Sequence, residues 1–155
     1  MKRLNRFISF CCVISAALLC LCACGKQTAA PGTATDAAPS ATAVDLSAAE
    51  QLGEGAHRFY FTVVFEDGTA KAYDIRTDET SVGAALKAFS LVDGDEGDYG
   101  LYVKTIGGVR ADYNLDGAYW AFYIDGEYAM TGADDTKITE GSTYSFVYTP
   151  ADQFN

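Results

Sequence analysis

Sustained alternation of apolar and polar residues begins at Arg58 and stops near Pro150. Period-two alternation marks strands with one buried face. The first such stretch, Arg58 to Phe65, reaches Asp67-Gly68, and Thr69 to Arg76 returns from it. Asp-Gly suits a two-residue hairpin turn, where both central positions take positive φ. That turn predicts Phe65 opposite Ala70 and Val63 opposite Ala72, with Phe59 and Phe61 on the same face. Large residues opposite alanines leave room for a helix, and a helix comes next. Thr80 or Ser81 can cap it, and Val82, Ala85, Leu86 and Phe89 recur at i, i+3, i+4 and i+7.

An acidic, glycine-rich stretch from Asp93 to Gly100 reads as a loop into the strand Leu101 to Ile106, and Gly107-Gly108 turns the chain. A second hairpin runs from Ala118 to Ile124, turns at Asp125-Gly126 and returns through Glu127 to Met130. Its register places Trp120, Phe122 and Ala129 on one face. Tyr119, Tyr123, Tyr128 and Met130 fall on the other. The last strand, Thr143 to Tyr148, follows a turn at Glu140-Gly141. The order ββαβββ predicts an α+β fold, β-grasp-like, with a four- to five-stranded mixed sheet packed on one helix. A small β-sandwich with an incidental helix is the competing architecture.

The N-terminal third is built differently. Lys2, Arg3 and Arg6 precede a nearly unbroken apolar run, Phe7 to Leu21, and Ala23-Cys24 follows. Charged, apolar and small residues in that order make an export signal, too short for a comfortable membrane span. Leu21-Cys22-Ala23-Cys24 resembles the lipobox of bacterial lipoproteins, with Cys22 a mild departure; the resemblance implies lipidation of Cys24 and cleavage before it. All five cysteines lie at or before Cys24, so the exported domain is left without disulfide, thiolate nucleophile or cysteine-based metal site. Residues 25 to about 54 are rich in Ala, Thr, Pro, Ser and Gly and too poor in large apolar residues to fold alone. The expected organisation is a signal at 1–23, a lipidated cysteine and tether at 24–56, a domain at 57–150 and a tail at 151–155. A short helical turn is also expected around Leu46 to Leu52.

Charge narrows the partners. Residues 24–155 keep eight basic and all twenty-one acidic residues, a balance of −13. Such a chain repels phosphate backbones, which excludes nucleic acid and leaves membrane attachment to the lipid. His57 is the only histidine. No Ser/His/Asp or Cys/His constellation can be assembled around it, nor a histidine-based zinc site. Nothing fixes two carboxylates across a cleft, so the chain reads as non-enzymatic.

Two candidate sites remain. Asp112, Asn114 and Asp116 with Gly117 match the first half of a calcium-binding EF-hand loop, although Tyr123 stands where a bidentate glutamate belongs. These residues are also the ordinary vocabulary of a tight loop. The cluster Asp93, Asp95, Glu96 and Asp98 reads as a solvated loop. The tyrosines form the second candidate. Tyr60 and Tyr73 are expected opposite the phenylalanines of the first hairpin, and Tyr119, Tyr123 and Tyr128 together with Met130 on the second. Exposed, such faces suit a flat ring, a sugar or a protein partner. The same residues also pack well over sheet edges.

The stretches Gly100 to Val109, Ala118 to Glu127 and Gly132 to Gly141 resemble a bacterial domain related to the C-terminal domain of transcobalamin and intrinsic factor. The pattern is a Tyr-Trp strand, an Asp-Gly turn, and a glycine before a final Tyr/Phe/Val strand. The resemblance implies a β-grasp-like fold and a corrinoid ligand; no cofactor is called for otherwise. The helical barrel that covers the other side of cobalamin in the vertebrate proteins has no counterpart in this sequence. The expected role is a lipid-anchored binding module on the outer face of a bacterial membrane, taking a corrinoid or an envelope protein. A structural adaptor without a small-molecule ligand is the alternative.

Overall fold

The computed structural model describes residues 44–98 and 100–154, which belong to one unit spanning residues 35–155. The expected signal, Cys24 and most of the tether lie outside the described residues. Nine strands and one α-helix are described: β1 (Glu50–Leu52), β2 (His57–Val64), β3 (Ala70–Thr77), α1 (Val82–Ala88), β4 (Val92–Gly97), β5 (Gly100–Ile106), β6 (Val109–Arg110), β7 (Ala118–Ile124), β8 (Glu127–Tyr128) and β9 (Thr143–Pro150). They form a six-stranded sheet in the order β1-β3-β2-β9-β7-β8 and a three-stranded sheet, β4-β5-β6. Mixed sheets with a single α-helix place the fold in the α+β class.

Two differences from the expected four- to five-stranded sheet have local causes. The end of the expected tether is structured: Leu46–Ala48 is a 3-10 turn and β1 pairs in parallel with β3. The acidic stretch after α1 is a strand, β4, paired with β5. Its composition reads as loop, but Gly94 has no Cβ to collide with the Tyr102 carbonyl, and a bulge there absorbs the irregular register. The strand expected in the main sheet at Leu101 to Ile106 thereby belongs to the second sheet. The tail also begins in a 3-10 turn, Ala151–Phe154, with Ala151 N donating to Gly117 O at 2.8 Å.

The two central strands, β2 and β9, run parallel, with Phe61 opposite Tyr144 and Thr62 opposite Ser145. Both strands are largely buried on both faces, which is why Phe59 to Val64 reads as a nearly continuous apolar run. The two buried hydroxyls within it satisfy each other, Thr62 Oγ1 lying 2.7 Å from Ser145 Oγ. On one face Phe59, Phe61, Val63, Trp120, Phe122, Tyr144, Phe146 and Tyr148 meet Val82, Ala85 and Leu86 of α1. Val92, Val103 and Ile106 of the small sheet join the same core. Ser81 caps α1 as expected, accepting the Ala84 N–H at 3.3 Å.

The first hairpin is displaced by one residue from the expected register. Val64 pairs with Ala70 and Phe61 with Tyr73. The turn is a three-residue loop: Phe65 N–H donates to Thr69 O, Gly68 N–H to Phe65 O, and Gly68 alone takes positive φ, at 79°. An αL glycine closing a type I turn is the bulged alternative to the two-residue loop. The second hairpin has the expected two-residue turn, with φ of 50° at Asp125 and 88° at Gly126.

Candidate functional site

A one-residue displacement moves every side chain of the returning strand to the other face. Tyr73 consequently sits on the core side, its ring stacked on Phe61 at 5.9 Å. Burial raises its phenol above the usual value, and Glu50 adds to the shift. Tyr60 stays on the opposite face, where Arg58 engages it: Nη2 donates to the hydroxyl at 2.9 Å and the guanidinium lies 5.3 Å from the ring centroid. The fork of Arg58 also grips Asp74 through Nε and Nη2, both at 2.8 Å. Tyr60 and Tyr73 therefore do not share a surface.

Tyr119, Tyr123 and Tyr128 do. Tyr123 and Tyr128 face each other across the β7–β8 pair, with centroids 5.5 Å apart and planes at 88°. Such an edge-to-face pair aligns the positive edge of one ring with the negative face of the other. Burial raises the Tyr119 phenol, and Tyr128, Tyr123 and Tyr102 each add to the shift. Tyr102 is the member that sequence reasoning missed. It comes from β5, in the other sheet, and is 45% exposed. Tyr128 is 52% and Met130 91% exposed, so the cluster opens to solvent at its edge. Lys104 Nζ lies 5.8 Å from the Tyr102 ring centroid, with its charge matched by Asp95 and Asp112. The phenols of β7 and β8, with Tyr102 of β5 near enough to Tyr119 to add to its shift and an exposed thioether at Met130, offer aromatic surface at the sheet edge that can stack on a planar or apolar group and donate hydrogen bonds at its rim.

Asp112, Asn114 and Asp116 are also brought together, but their carboxylates are already matched. Asp112 Oδ2 lies 2.7 Å from Lys104 Nζ, and its Oδ1 accepts the N–H groups of Asn114 and Leu115. Asp116 takes both arms of Arg110, at 2.9 and 2.8 Å, and accepts the Asp112 N–H. Lys104 and Arg110 hold these two carboxyls below the usual carboxylate range. The two cations stand where a calcium ion would have to compete. In the other acidic cluster, Asp95 pairs with Lys104 and Glu96 with Lys87. Among the described residues no group of three or more His, Cys, Asp or Glu converges on one point.

With this geometry in place, the similarities are informative. Residues 79–149, from just before α1 to the end of β9, match a family described as a domain of unknown function, DUF4430. A solved structure from Ruminococcus gnavus ATCC 29149, provisionally described as a metal binding protein, aligns with a TM-score of 0.58 and 28% identity. The alignment covers 61% of this chain and 98% of that one. Haptocorrin in complex with Cbi aligns with a TM-score of 0.47 and 17% identity, over 64% of this chain and 26% of that one. No curated protein matches the sequence. The folded part of this chain is thus similar to nearly the whole of the Ruminococcus gnavus protein.

Proposed function

We propose that this chain is a lipid-anchored, extracytoplasmic and non-enzymatic binding module, with a corrinoid as the ligand class. The observation that carries the binding reading is the tyrosine patch: Tyr102, Tyr119, Tyr123 and Tyr128 gathered from two sheets beside an exposed Met130. Stacking on aromatic rings suits a flat macrocycle, and phenols at the edge suit its polar substituents. The corrinoid class rests on the resemblance carried by residues 100–109, 118–127 and 132–141. A β-grasp reading agrees with it, since β2 and β9 lie parallel at the centre with β3 and β7 outside them. Lipidation at Cys24 and an outward-facing location rest on the N-terminal residues alone. The metal binding suggested for the Ruminococcus gnavus protein is not carried over, because Lys104 and Arg110 already occupy the carboxylates that would serve it.

The test is a spectroscopic titration of the exported chain with cobalamin and cobinamide, with and without extract of the source cells. A shift in corrin absorbance that is lost on replacing Tyr119, Tyr123 and Tyr128 by alanine supports the reading. No shift under either condition removes the corrinoid. For the anchor, metabolic labelling with a fatty-acid analogue is expected to mark the wild type and not Cys24→Ala.

A further inference from the structure

We propose that the Asp93-Gly94 step is a self-modification site, where the Gly94 nitrogen closes onto the Asp93 side chain and yields isoaspartate. The chain carries four Asp-Gly steps, beginning at Asp67, Asp93, Asp116 and Asp125. Glycine leaves the following nitrogen unhindered, so by sequence all four are candidates. The structure separates them. Asp67 Oδ1 accepts from Thr69 N and the Thr69 hydroxyl, while the Gly68 N–H is turned to Phe65 O at 3.0 Å. Both oxygens of Asp116 are gripped by Arg110, and one also accepts from Asp112 N. Asp125 Oδ1 accepts from Thr143 N at 2.7 Å. Asp93 instead turns back on its own neighbour, its Oδ1 accepting from Gly94 N at 2.9 Å.

That hydrogen bond folds the side chain into a ring containing Cγ and the Gly94 nitrogen, the two atoms that must join. Holding reacting atoms near contact turns a rare encounter into an efficient intramolecular step. The β4–β5 ladder shifts register between Asp93 and Gly94, so the backbone there is released from regular pairing. Asp93 is exposed, and water reaches it. The fold also requires the reactive glycine, since a Cβ on Gly94 would collide with Tyr102 O. Only water takes part besides the chain itself. The nitrogen attacks Cγ of the protonated carboxyl; a C–N bond forms, a C–O bond breaks, and the N–H proton leaves with the hydroxyl as water. Water then opens the succinimide at either carbonyl, restoring Asp93 or leaving the chain linked through the side-chain carboxyl. The second product lengthens the backbone by one carbon just before Asp95 and Glu96. Their pairs with Lys104 and Lys87 depend on the register of β4, so the modification loosens the small sheet.

Trypsin cuts after Arg58, Lys71, Lys87, Lys104, Arg110 and Lys137, which puts Asp67, Asp93 and the pair Asp116 and Asp125 in different peptides. The exported chain is aged folded at neutral pH, digested, and assayed for isoaspartate with an isoaspartyl methyltransferase and labelled S-adenosylmethionine. Isoaspartate is expected in peptide 88–104 about tenfold ahead of the other two. Ageing in guanidinium chloride should erase that lead, because the four steps then differ only in flanking sequence. Asp93→Glu should remove the signal from peptide 88–104, since the wider ring closes far more slowly. Asp93→Asn should raise it, with ammonia leaving in place of water. Equal accumulation in the three peptides of the folded chain, or a lead that survives in denaturant, would overturn the site.

Discussion

Asp134 lies directly against the bare Cα of Gly83. A Cβ on Gly83 would collide with Asp134 Oδ1 and stand 2.7 Å from its N and 2.8 Å from its Cα. The Gly83 N–H meanwhile donates to Ala133 O at 2.8 Å. Asp134 cannot easily retreat, since its Oδ2 accepts from Leu101 N at 2.9 Å and from Lys87 Nζ at 3.2 Å. One side chain thus ties the start of α1, its last turn and the start of β5 together. Gly83→Ala is expected to destabilise the domain, although alanine is favoured over glycine in a helix by about 1 kcal/mol. Overpacking against backbone costs roughly 1–3 kcal/mol, and subtracting the propensity gain of about 1 kcal/mol leaves a net loss of up to about 2 kcal/mol in urea unfolding. A stabilised variant would mean that the 130–136 loop yields freely.

Which parts of this arrangement were legible in the sequence depended on whether local signals decided them. Ser81 and the Val82, Ala85, Leu86 spacing fixed α1, and Asp125-Gly126 fixed the second hairpin, because cap and turn chemistry act over a few residues. Asp67-Gly68 misled by one residue because the dipeptide permits two loops. Thr69 bonds through both N–H and hydroxyl to Asp67 Oδ1, which favours the bulged one. Tyr73 followed the slip onto the core face. β4 was illegible because Asp93, Asp95 and Glu96 are poor strand formers; pairing with β5 overrides their propensity. Tyr102 could not be grouped with Tyr119 without knowing that the two sheets meet beside β7.

Ser90 adopts φ of 55°, a left-handed conformation, just after α1. Its N–H donates to Lys87 O and that of Leu91 to Leu86 O, the paired bonds of a Schellman motif. Glycine is the usual residue at this position because it lacks the Cβ penalty. Ser90→Gly should stabilise the domain by about 0.5–1 kcal/mol, the steric relief of ~1–2 kcal/mol less the added unfolded-state entropy. Thermal unfolding measures this directly, and a fall in Tm would show that the serine hydroxyl contributes more than its backbone costs.

Thr62 and Ser145 give a test of buried hydrogen bonding. Each is about 1% exposed, and the two hydroxyls bond to each other. Thr62→Val leaves Ser145 without its partner and should cost about 1–3 kcal/mol. Adding Ser145→Ala should recover part of that loss, since removing both polar groups leaves nothing unsatisfied. If the double variant is no better than the sum of the single ones, the hydroxyl pair is not what holds β2 to β9 at this point.

In the tyrosine patch, Tyr119 has its phenol raised by burial first and by Tyr128 and Tyr123 next. A raised phenol stabilises the fold below the ordinary value of about 10 and loses that contribution as pH rises through the folded value. Tyrosinate absorbance should therefore show a late-titrating fraction, to which the raised phenols of Tyr73, Tyr123 and Tyr148 also contribute, and Tyr119→Phe should reduce it by one phenol. Tyr128→Phe should move the Tyr119 step to lower pH, because one neighbouring phenol is gone. A late step left at the same pH in Tyr128→Phe, after allowing for the one phenol removed, would separate the two residues and dissolve the patch.

The bond from Lys104 to Asp112 should govern part of the acid limb of stability. Lys104 lowers the Asp112 carboxyl most, burial opposes it, and the N–H groups of Asn114 and Leu115 assist. Lys104 is itself raised, by Asp112 first and Asp95 second, and stays charged wherever the carboxylate titrates. A depressed carboxylate contributes stability above its unfolded value, near 3.9, and loses it as pH falls through the folded value. Asp112→Asn should therefore lower Tm at neutral pH, and the gap from wild type should close as pH falls below about 4. Arg110 depresses Asp116 and Arg58 depresses Asp74 in the same way, so both proteins keep a common acid slope beneath this difference. Melting curves at neutral pH and at successively lower pH decide it, because the gap narrows only as the native carboxylate takes up its proton. A gap as wide in acid as at neutrality would mean that Asp112 braces its loop through its hydrogen bonds to Asn114 and Leu115, with the ion pair to Lys104 contributing nothing.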